Sequence, residues 1–122
     1  MIISIVPIRN KTILYIEDGT IEIIDMVSSK FIKDYGYRSA ILKGPNQIYK
    51  KPIMIQGELF YPTRSRRDKR CIWINARTAY SEKLLKHIAV LQHFDASITA
   101  SMIVKIGLKY LKTREKSMNR YL

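Results

Sequence analysis

The sequence has little of what several classes of small protein depend on. Its one cysteine, Cys71, can form neither an intrachain disulfide nor a cysteine-based zinc site. No apolar run approaches the length of a membrane span, and the N-terminal MIISIVPIRN has no basic residue ahead of its apolar stretch, as a signal peptide would. We therefore expect a chain without disulfides or membrane segments that works in the cytoplasm.

Catalytic and metal-binding patterns are missing as well. His87 and His93 are six residues apart, which does not place them on one helical face, and no carboxylate pair has a useful spacing near either. Glu22, Asp25 and Glu58 could be imagined as magnesium ligands of a nuclease, but their spacing matches no recognisable pattern. The sequence also has no P-loop and no dinucleotide-binding glycine motif. It predicts no enzyme, no cofactor and no metal site.

What the chain has in excess is positive charge. Its 22 Lys and Arg residues stand against 10 Asp and Glu residues, for a net charge of +12 and a pI near 10.0. Residues 1–62 carry a net charge of +2 and residues 63–122 carry +10. Such asymmetry predicts a surface that binds an anion, with nucleic acid favoured over an anionic membrane surface or an acidic protein.

Length and residue pattern predict one α+β domain. The 122 residues, with an apolar fraction of 47%, can bury a core of their own. β-rich runs come first and helical periodicity follows, so we expect an N-terminal, mostly antiparallel β-sheet with one short helix, followed by two C-terminal amphipathic helices. We assign the domain to residues 1–112 and treat residues 113–122 as a frayed basic tail.

The N-terminal part predicts a strand and a hairpin. Residues 1–8 are apolar and β-branched, and residues 12–16 and 20–24 flank a Glu-Asp-Gly turn, in which Gly accepts the positive φ that such turns need. One face of the hairpin should carry four apolar side chains: Ile13, Tyr15, Ile21 and Ile23.

A short helix is predicted next, at residues 30–35, with Ser28 or Ser29 as its cap and Gly36 at its end. Its apolar residues fall at helical spacing and should face the core: Phe31, Ile32 and Tyr35. The Gly-Pro-Asn sequence at residues 44–46 predicts a turn.

The middle of the chain predicts three further strands, at residues 52–56, 59–61 and 71–75. Four of their residues are assigned to the core: Ile53, Ile55, Phe60 and Trp73. Cys71 lies in an apolar context, so we expect a buried hydrophobic residue and not a thiolate nucleophile, unless exposure lets Arg70 lower its pKa.

A basic loop at residues 63–70 separates the last two of these strands. It carries five cations and one acid: Arg64, Arg66, Arg67, Lys69 and Arg70, with Asp68 among them. Because the strands would hold the cations together despite their mutual repulsion, a polyanion would relieve that repulsion.

The last third of the chain predicts two amphipathic helices, at residues 81–94 and 98–112. Ser81 is the expected cap of the first helix, and Asp95 or Ser97 that of the second. Lysines recur along one side of the second helix: Lys105, Lys109, Lys112 and Lys116. This stripe is typical of a helix that lies along a phosphate backbone, and equally of a solvated face that complements the helix dipole.

Three segments resemble the ComK family of bacterial competence transcription factors. Ser-Ser-Lys-Phe at 28–31, followed by Tyr-Gly-Tyr-Arg at 35–38, is similar to the family's helix and glycine-rich turn. Lys-Pro-Ile-Met-Ile at 51–55 is similar to its Lys-Pro-Pro-Ile run. Phe-Tyr-Pro-Thr at 60–63 and Cys-Ile-Trp-Ile-Asn at 71–75 are similar to its Phe-Pro-Thr and Trp-Ile-Asn/Ser elements.

The resemblance, which covers residues 20–76, implies a transcriptional activator. Such an activator binds paired AT-rich boxes as dimers, largely through the minor groove, and bends the DNA. Arginine suits that groove, because the narrow minor groove of an AT tract concentrates negative potential. After Asn75 the chain lacks the family's Asn-Gly hairpin, and it lacks the C-terminal degradation motif through which family members meet an adaptor and a Clp-type protease.

We therefore predict a ComK-like, sequence-selective regulator that binds AT-rich double-stranded DNA at the nucleoid, as a homodimer or higher oligomer. The predicted DNA contacts are Arg38, Arg64, Arg66, Arg67, Lys69, Arg70, Arg77, Lys105, Lys109 and Lys112. Two other functions fit the composition. One is a small basic RNA-binding protein or ribonuclease toxin, and the other is a protein-binding modulator that forms a heteromer with a full-length ComK-like factor.

Overall fold

The computed structural model of the protein describes residues 1–38, 52–78 and 82–120. Within these ranges, seven strands form one antiparallel sheet: β1 (Ile2–Ile8), β2 (Lys11–Ile16), β3 (Ile21–Ile24), β4 (Tyr37–Arg38), β5 (Ile53–Ile55), β6 (Glu58–Pro62) and β7 (Trp73–Asn75). The helices are α1 (Ser28–Tyr35), α2 (Glu82–Phe94) and α3 (Ala100–Arg120), with a 3-10 turn at Ala76–Thr78. The predicted α+β class is confirmed, and the predicted strands and helices occur in the predicted order, whereas β4 was not predicted.

The strand order is β3-β2-β1-β7-β6-β5-β4. β7 is the last strand in the chain, yet it lies in the middle of the sheet. It pairs with β1 through Ile5↔Trp73 and with β6 through Pro62↔Trp73. Two antiparallel meanders, one on each side, are thus joined by a strand of three residues. Since β6 and β7 are neighbours, the connection between them leaves and re-enters at one end of the sheet.

The sheet separates two apolar cores. On one face, α1 packs through Phe31 and Ile32 against a cluster that contains the four residues assigned to the core from the sequence: Ile53, Ile55, Phe60 and Trp73, all buried. On the other face, α2 and α3 pack on a second cluster, with Ile88, Leu91 and Ile103 among its buried members. Both faces of the central strands are therefore apolar, as the nearly continuous apolar sequences of β1 and β5 require.

The predicted hairpin is confirmed in its register, with Ile13 opposite Ile23 and Tyr15 opposite Ile21. Ile21 and Ile23 nevertheless stay 59% and 62% exposed. Ile21 and Ile23 thus have the predicted cross-strand partners, but they are not buried. β3 is an edge strand, and a side chain at the edge is covered on one side only.

The ends of α1 differ from the prediction. The helix begins at Ser28, and Val27 occupies the N-cap position without a side-chain hydrogen bond, so neither serine caps it. Gly36 ends the helix as predicted, but at a φ of −98°, outside the left-handed region. Glycine is needed there for space, because a Cβ would lie 2.7 Å from the carbonyl oxygen of Ile32. Tyr35 was predicted to face the core and is 58% exposed.

The C-terminal helices also differ at their ends. α3 is capped by Thr99, whose Oγ1 accepts the Met102 N–H, and not by Asp95 or Ser97. It runs on through Arg120, so the predicted frayed segment begins as helix. The division into a domain of residues 1–112 and a tail stays a prediction. Ser81 and the turn predicted at residues 44–46 lie outside the described residues.

Only some of the apolar side chains of α2 are buried. Ile88 and Leu91 pack into the core, while Leu85, three residues before Ile88, is largely exposed. On α3, Leu111 is exposed in the same way, although Ile103 and Ile106 are buried. Apolar spacing thus identified both helices correctly but overstated how much of each one the sheet covers.

The position of β7 leads to a stability prediction. Replacement of the fully buried Ile74 by Ala should lower the free energy of unfolding by about 2–5 kcal/mol, because it leaves a cavity between the sheet and the helices. The matched variant Ile23→Ala, on the exposed edge strand, should lose no more than about 1 kcal/mol. Urea denaturation measures both values, and equal losses would contradict the central role of β7.

Candidate nucleic-acid interface

The basic loop at 63–70 is closed at its base by main-chain and side-chain hydrogen bonds. The Thr63 N–H donates to the Ile72 carbonyl oxygen over 2.9 Å, and the Ile72 N–H donates to Thr63 Oγ1 over 3.1 Å. Further along, the Cys71 N–H donates to the Asp68 carbonyl oxygen over 3.0 Å. The loop is therefore a folded extension of the two central strands, and these hydrogen bonds hold the backbone that carries its cations.

The first arginine of the loop is engaged inside the protein. Arg64 donates through Nε and Nη2 to the two carboxylate oxygens of Asp95, over 2.5 and 2.7 Å, and through Nη2 to Ser97 Oγ over 3.0 Å. The Asp95 side chain is only 4% exposed, and its hydrogen bonds with Arg64 hold the pKa of that carboxyl well below its usual range. Asp95 follows α2, so this bidentate ion pair fastens the loop to the helical layer.

The last arginine of the loop has a weaker internal partner. Arg70 Nη2 lies 3.2 Å from Asp68 Oδ2, and the Arg70 N–H donates to Asp68 Oδ1 over 2.8 Å. These hydrogen bonds lower the pKa of Asp68, whose carboxylate also lies 3.8 Å from Arg64 Nη1. Arg70 itself is 70% exposed. An exposed ion pair of this kind contributes little to stability, so Arg70 can exchange Asp68 for another anion.

The remaining loop cations line a cleft together with an arginine from a distant part of the chain. Arg66, Arg67 and Lys69 are exposed, and Arg9 in the β1–β2 turn lies on the same cleft. Within the described residues, none of these four cations forms an ion pair. We call this space, of about 510 Å³, the loop cleft.

Strand pairing explains why these segments meet. Ile5 is opposite Trp73, so the rest of β1 continues past the start of β7 and carries the Arg9-Asn10 turn to the end of the sheet where the loop emerges. Thr12 is opposite Ile24, so β3 ends at this same end of the sheet, and the chain continues from it into α1. Sequence reasoning missed Arg9. The two-residue turn between β1 and β2 can be predicted from the sequence. Which segments lie beside that turn depends on strand pairing between residues far apart in the chain.

The floor of the loop cleft is apolar and includes Ile32, Cys71 and Trp73. Burial raises the pKa of the Cys71 thiol to about 11, so it is protonated and inert at neutral pH. This confirms the expectation of a buried hydrophobic residue. Despite the adjacent arginine in the sequence, the loss of hydration dominates over the nearby positive charge.

The lysines of α3 lie on the opposite face of the sheet. Lys105 and Lys109 line a groove of about 270 Å³ together with Thr63, at the base of the basic loop. Lys112 is exposed one turn further along the helix. The loop therefore has cations on both sides: those of its tip line the loop cleft beside α1, and the α3 lysines flank its base.

A family model described as ComK protein matches residues 1–116. This chain belongs to the ComK family. The match extends beyond the resemblance in residues 20–76 and includes α2 and most of α3 as well as β1 and β2. No curated protein and no solved structure matches the chain.

ComK proteins are a family of competence transcription factors, not of enzymes. Among the described residues, no group of His, Cys, Asp and Glu has the arrangement of a metal site. His87 lies instead in a structural contact: its Nε2 shares a hydrogen bond of 2.6 Å with Ser4 Oγ, and its ring packs edge-on against Tyr15. Burial lowers the pKa of His87 to about 4, so it is neutral at physiological pH. None of the described helices is both long enough and apolar enough to span a bilayer.

Two of the predicted DNA contacts of this ComK-family chain lie away from the loop. Arg77 follows β7 at the other end of that strand, where its Nη1 is 3.1 Å from Glu58 Oε1. Arg38 belongs to β4, the edge strand farthest from β3, and pairs with Ile53. The structure thus brings together the loop tip and Arg9, places the α3 lysines beside the loop base, and separates Arg77 from both.

The Arg64–Asp95 ion pair leads to a pH-dependent prediction. Asp95→Asn should lower the free energy of unfolding at pH 7 by about 1–3 kcal/mol, because Arg64 keeps its positive charge and loses the carboxylate that balances it. In the wild type the pKa of Asp95 is below its ordinary value of 3.8, so the unfolded chain takes up the proton first as pH falls. The advantage of the wild type should be complete at pH 7 and should shrink below about pH 4.

Urea denaturation between pH 7 and pH 3 measures this difference, with the exposed Asp34→Asn in α1 as the matched control. The control should stay within about 0.5 kcal/mol of the wild type at pH 7. A difference between wild type and Asp95→Asn that is as large at pH 3 as at pH 7 would rule out the ion pair as its source.

Proposed function

We propose that the protein is a sequence-selective regulator that binds AT-rich DNA through the tip of the basic loop, with the α3 lysines as flanking contacts. One observation supports this most: Arg66, Arg67 and Lys69 sit on an anchored loop and have no ion pair within the described part of the chain. Such an arrangement keeps like charges close together, and a polyanion relieves the repulsion while releasing counterions.

The arrangement of cations on both faces of the loop favours a groove as the docking site. A DNA groove is bordered by two phosphate strands, and an inserted loop with cations on each side can meet both. The loop cations lie on the side of α1, and Lys105 lies on the side of α3. In the narrow minor groove of AT tracts the potential is most negative, so arginines at the loop tip would favour AT-rich sites.

Two of the arginines predicted to bind DNA have a different part in this proposal. Arg64 holds the loop in place through Asp95, and Arg77 pairs with Glu58 at the far end of β7. Arg70 remains a DNA contact, since its pair with Asp68 is exposed. Paired AT-rich boxes would be occupied by a homodimer at the nucleoid, as the membership in a family of competence transcription factors favours.

Fluorescence anisotropy with an AT-rich duplex, a GC-rich duplex and an RNA duplex over a range of salt concentrations tests this proposal. We expect the tightest binding to the AT-rich duplex and a linear fall of log K with log salt concentration. In the double variant Arg66→Gln/Arg67→Gln the slope should be smaller by about 1.8, since each phosphate contact contributes about 0.9.

The matched control is the double variant Lys33→Gln/Lys86→Gln, which removes two exposed charges from α1 and α2. It should leave the slope close to that of the wild type. Equal affinity for the AT-rich and GC-rich duplexes would contradict sequence selectivity, and preference for the RNA duplex would favour an RNA-binding function instead. Equal slopes for the two double variants would remove the loop from the interface.

A further inference from the structure

The loop cleft has the dimensions of a ligand site. Its walls come from three separate segments that meet at one end of the sheet: the β1–β2 turn, the first turn of α1 and the tip of the basic loop. Its volume of about 510 Å³ lies within the range of small-molecule sites, which is about 300–1,000 Å³. A surface that only rests against a DNA backbone needs no concave space of this size.

The charges around the cleft are unbalanced. Arg9, Arg66, Arg67 and Lys69 line it and have no ion pair among the described residues. Among the described residues that line the cleft, Asp68 is the only acid, and it is already hydrogen-bonded to Arg70. Four cations with one occupied carboxylate leave a concentrated positive potential in a partly enclosed space, where an anion is bound more strongly than on open surface.

The backbone conformation of Arg9 supports a role for its side chain in ligand binding. Arg9 has a φ of 51°, in the left-handed region that L side chains disfavour and that Gly or Asn adopts more easily. A cation is therefore held at a position of a tight turn where a different residue would fold with less strain. Gln56 has a similar φ in the turn between β5 and β6, so the strain alone does not mark a site; at Arg9 it places a cation on the wall of the loop cleft.

The apolar floor distinguishes the ligand from a bare anion. Trp73, Cys71 and Ile32 lie beneath the cations, so a ligand that fills the cleft has a charged end and an uncharged body. We propose that the loop cleft binds a phosphate ester of nucleotide size, with its phosphate among the four cations and its sugar and base over the apolar floor. The phosphate ester has two possible sources, a free mononucleotide and a nucleotide of DNA, and only the second rests on the function proposed above.

Trp73 gives a direct readout of the cleft, since it is the only tryptophan in the chain and lies in the cleft floor. Titration of the full-length protein with thymidine monophosphate should change the tryptophan fluorescence in a saturable manner. Thymidine, which has no phosphate, should have no effect at the same concentrations, and inorganic phosphate should bind more weakly than the nucleotide.

Two variants test the assignment of the cations. Arg9→Asn removes a charge and places a residue that tolerates the positive φ, so it should weaken nucleotide binding about tenfold without loss of folding. Arg66→Gln/Arg67→Gln should weaken binding by more. Lys86→Gln, on α2 at the opposite face of the sheet, is the matched control and should bind as the wild type does.

Competition with labelled AT-rich duplex separates the two sources. If the nucleotide binds and displaces DNA, the cleft takes a DNA nucleotide; if it binds without displacing DNA, the cleft serves a free nucleotide. If only DNA changes the Trp73 fluorescence and Arg9→Asn weakens DNA binding, DNA is the sole source. If no phosphate compound changes the fluorescence and Arg9→Asn leaves DNA binding unaltered, the proposal for the cleft is wrong, whereas DNA binding by the wild type decides the proposed function separately.

Discussion

The pairing of β7 with both β1 and β6 is the constraint on which the rest of the structure depends. Each side of the sheet is a local meander that neighbouring residues can form by themselves, and β7 alone joins them. Its Ile74 and Trp73 point to opposite faces, into the two separate cores. The Asn75 side chain adds a hydrogen bond of 2.8 Å to the Ile2 carbonyl oxygen. One three-residue strand thus joins the two halves of the sheet, and the joined sheet gives each helical layer a surface to pack on.

The basic loop owes its position to the same strand. A loop between two central, paired strands can leave the sheet only at its end, and hydrogen bonds between Thr63 and Ile72 keep it closed at the base. The ion pair of Arg64 with Asp95 then fixes the loop against the helical layer. Arg64 is therefore not available to an external anion, and its ion pair holds the loop that carries the other cations. This division of roles explains how cations can be concentrated on a short loop without unfolding it.

Charge is distributed along the sheet as well as along the chain. The loop, the Arg9 turn and the beginning of α3 carry cations at one end, whereas the acidic turn Glu17-Asp18 lies at the other, where Glu17 donates its N–H to the Met1 carbonyl oxygen. The acidic turn does not weaken binding at the basic end, because charges beyond about 10 Å are largely screened at physiological salt.

Local signals in the sequence determined much of this protein: every described strand except β4, the helices, the core residues such as Ile53 and Phe60, and the cationic loop. They did so because alternation, turn residues and charge runs act over a few positions. Only the tertiary structure decided that Arg9 would join the loop tip and that Arg64 would be paired with Asp95. Both outcomes depend on contacts between residues far apart in the chain, which form when β7 enters the sheet and which no local pattern encodes.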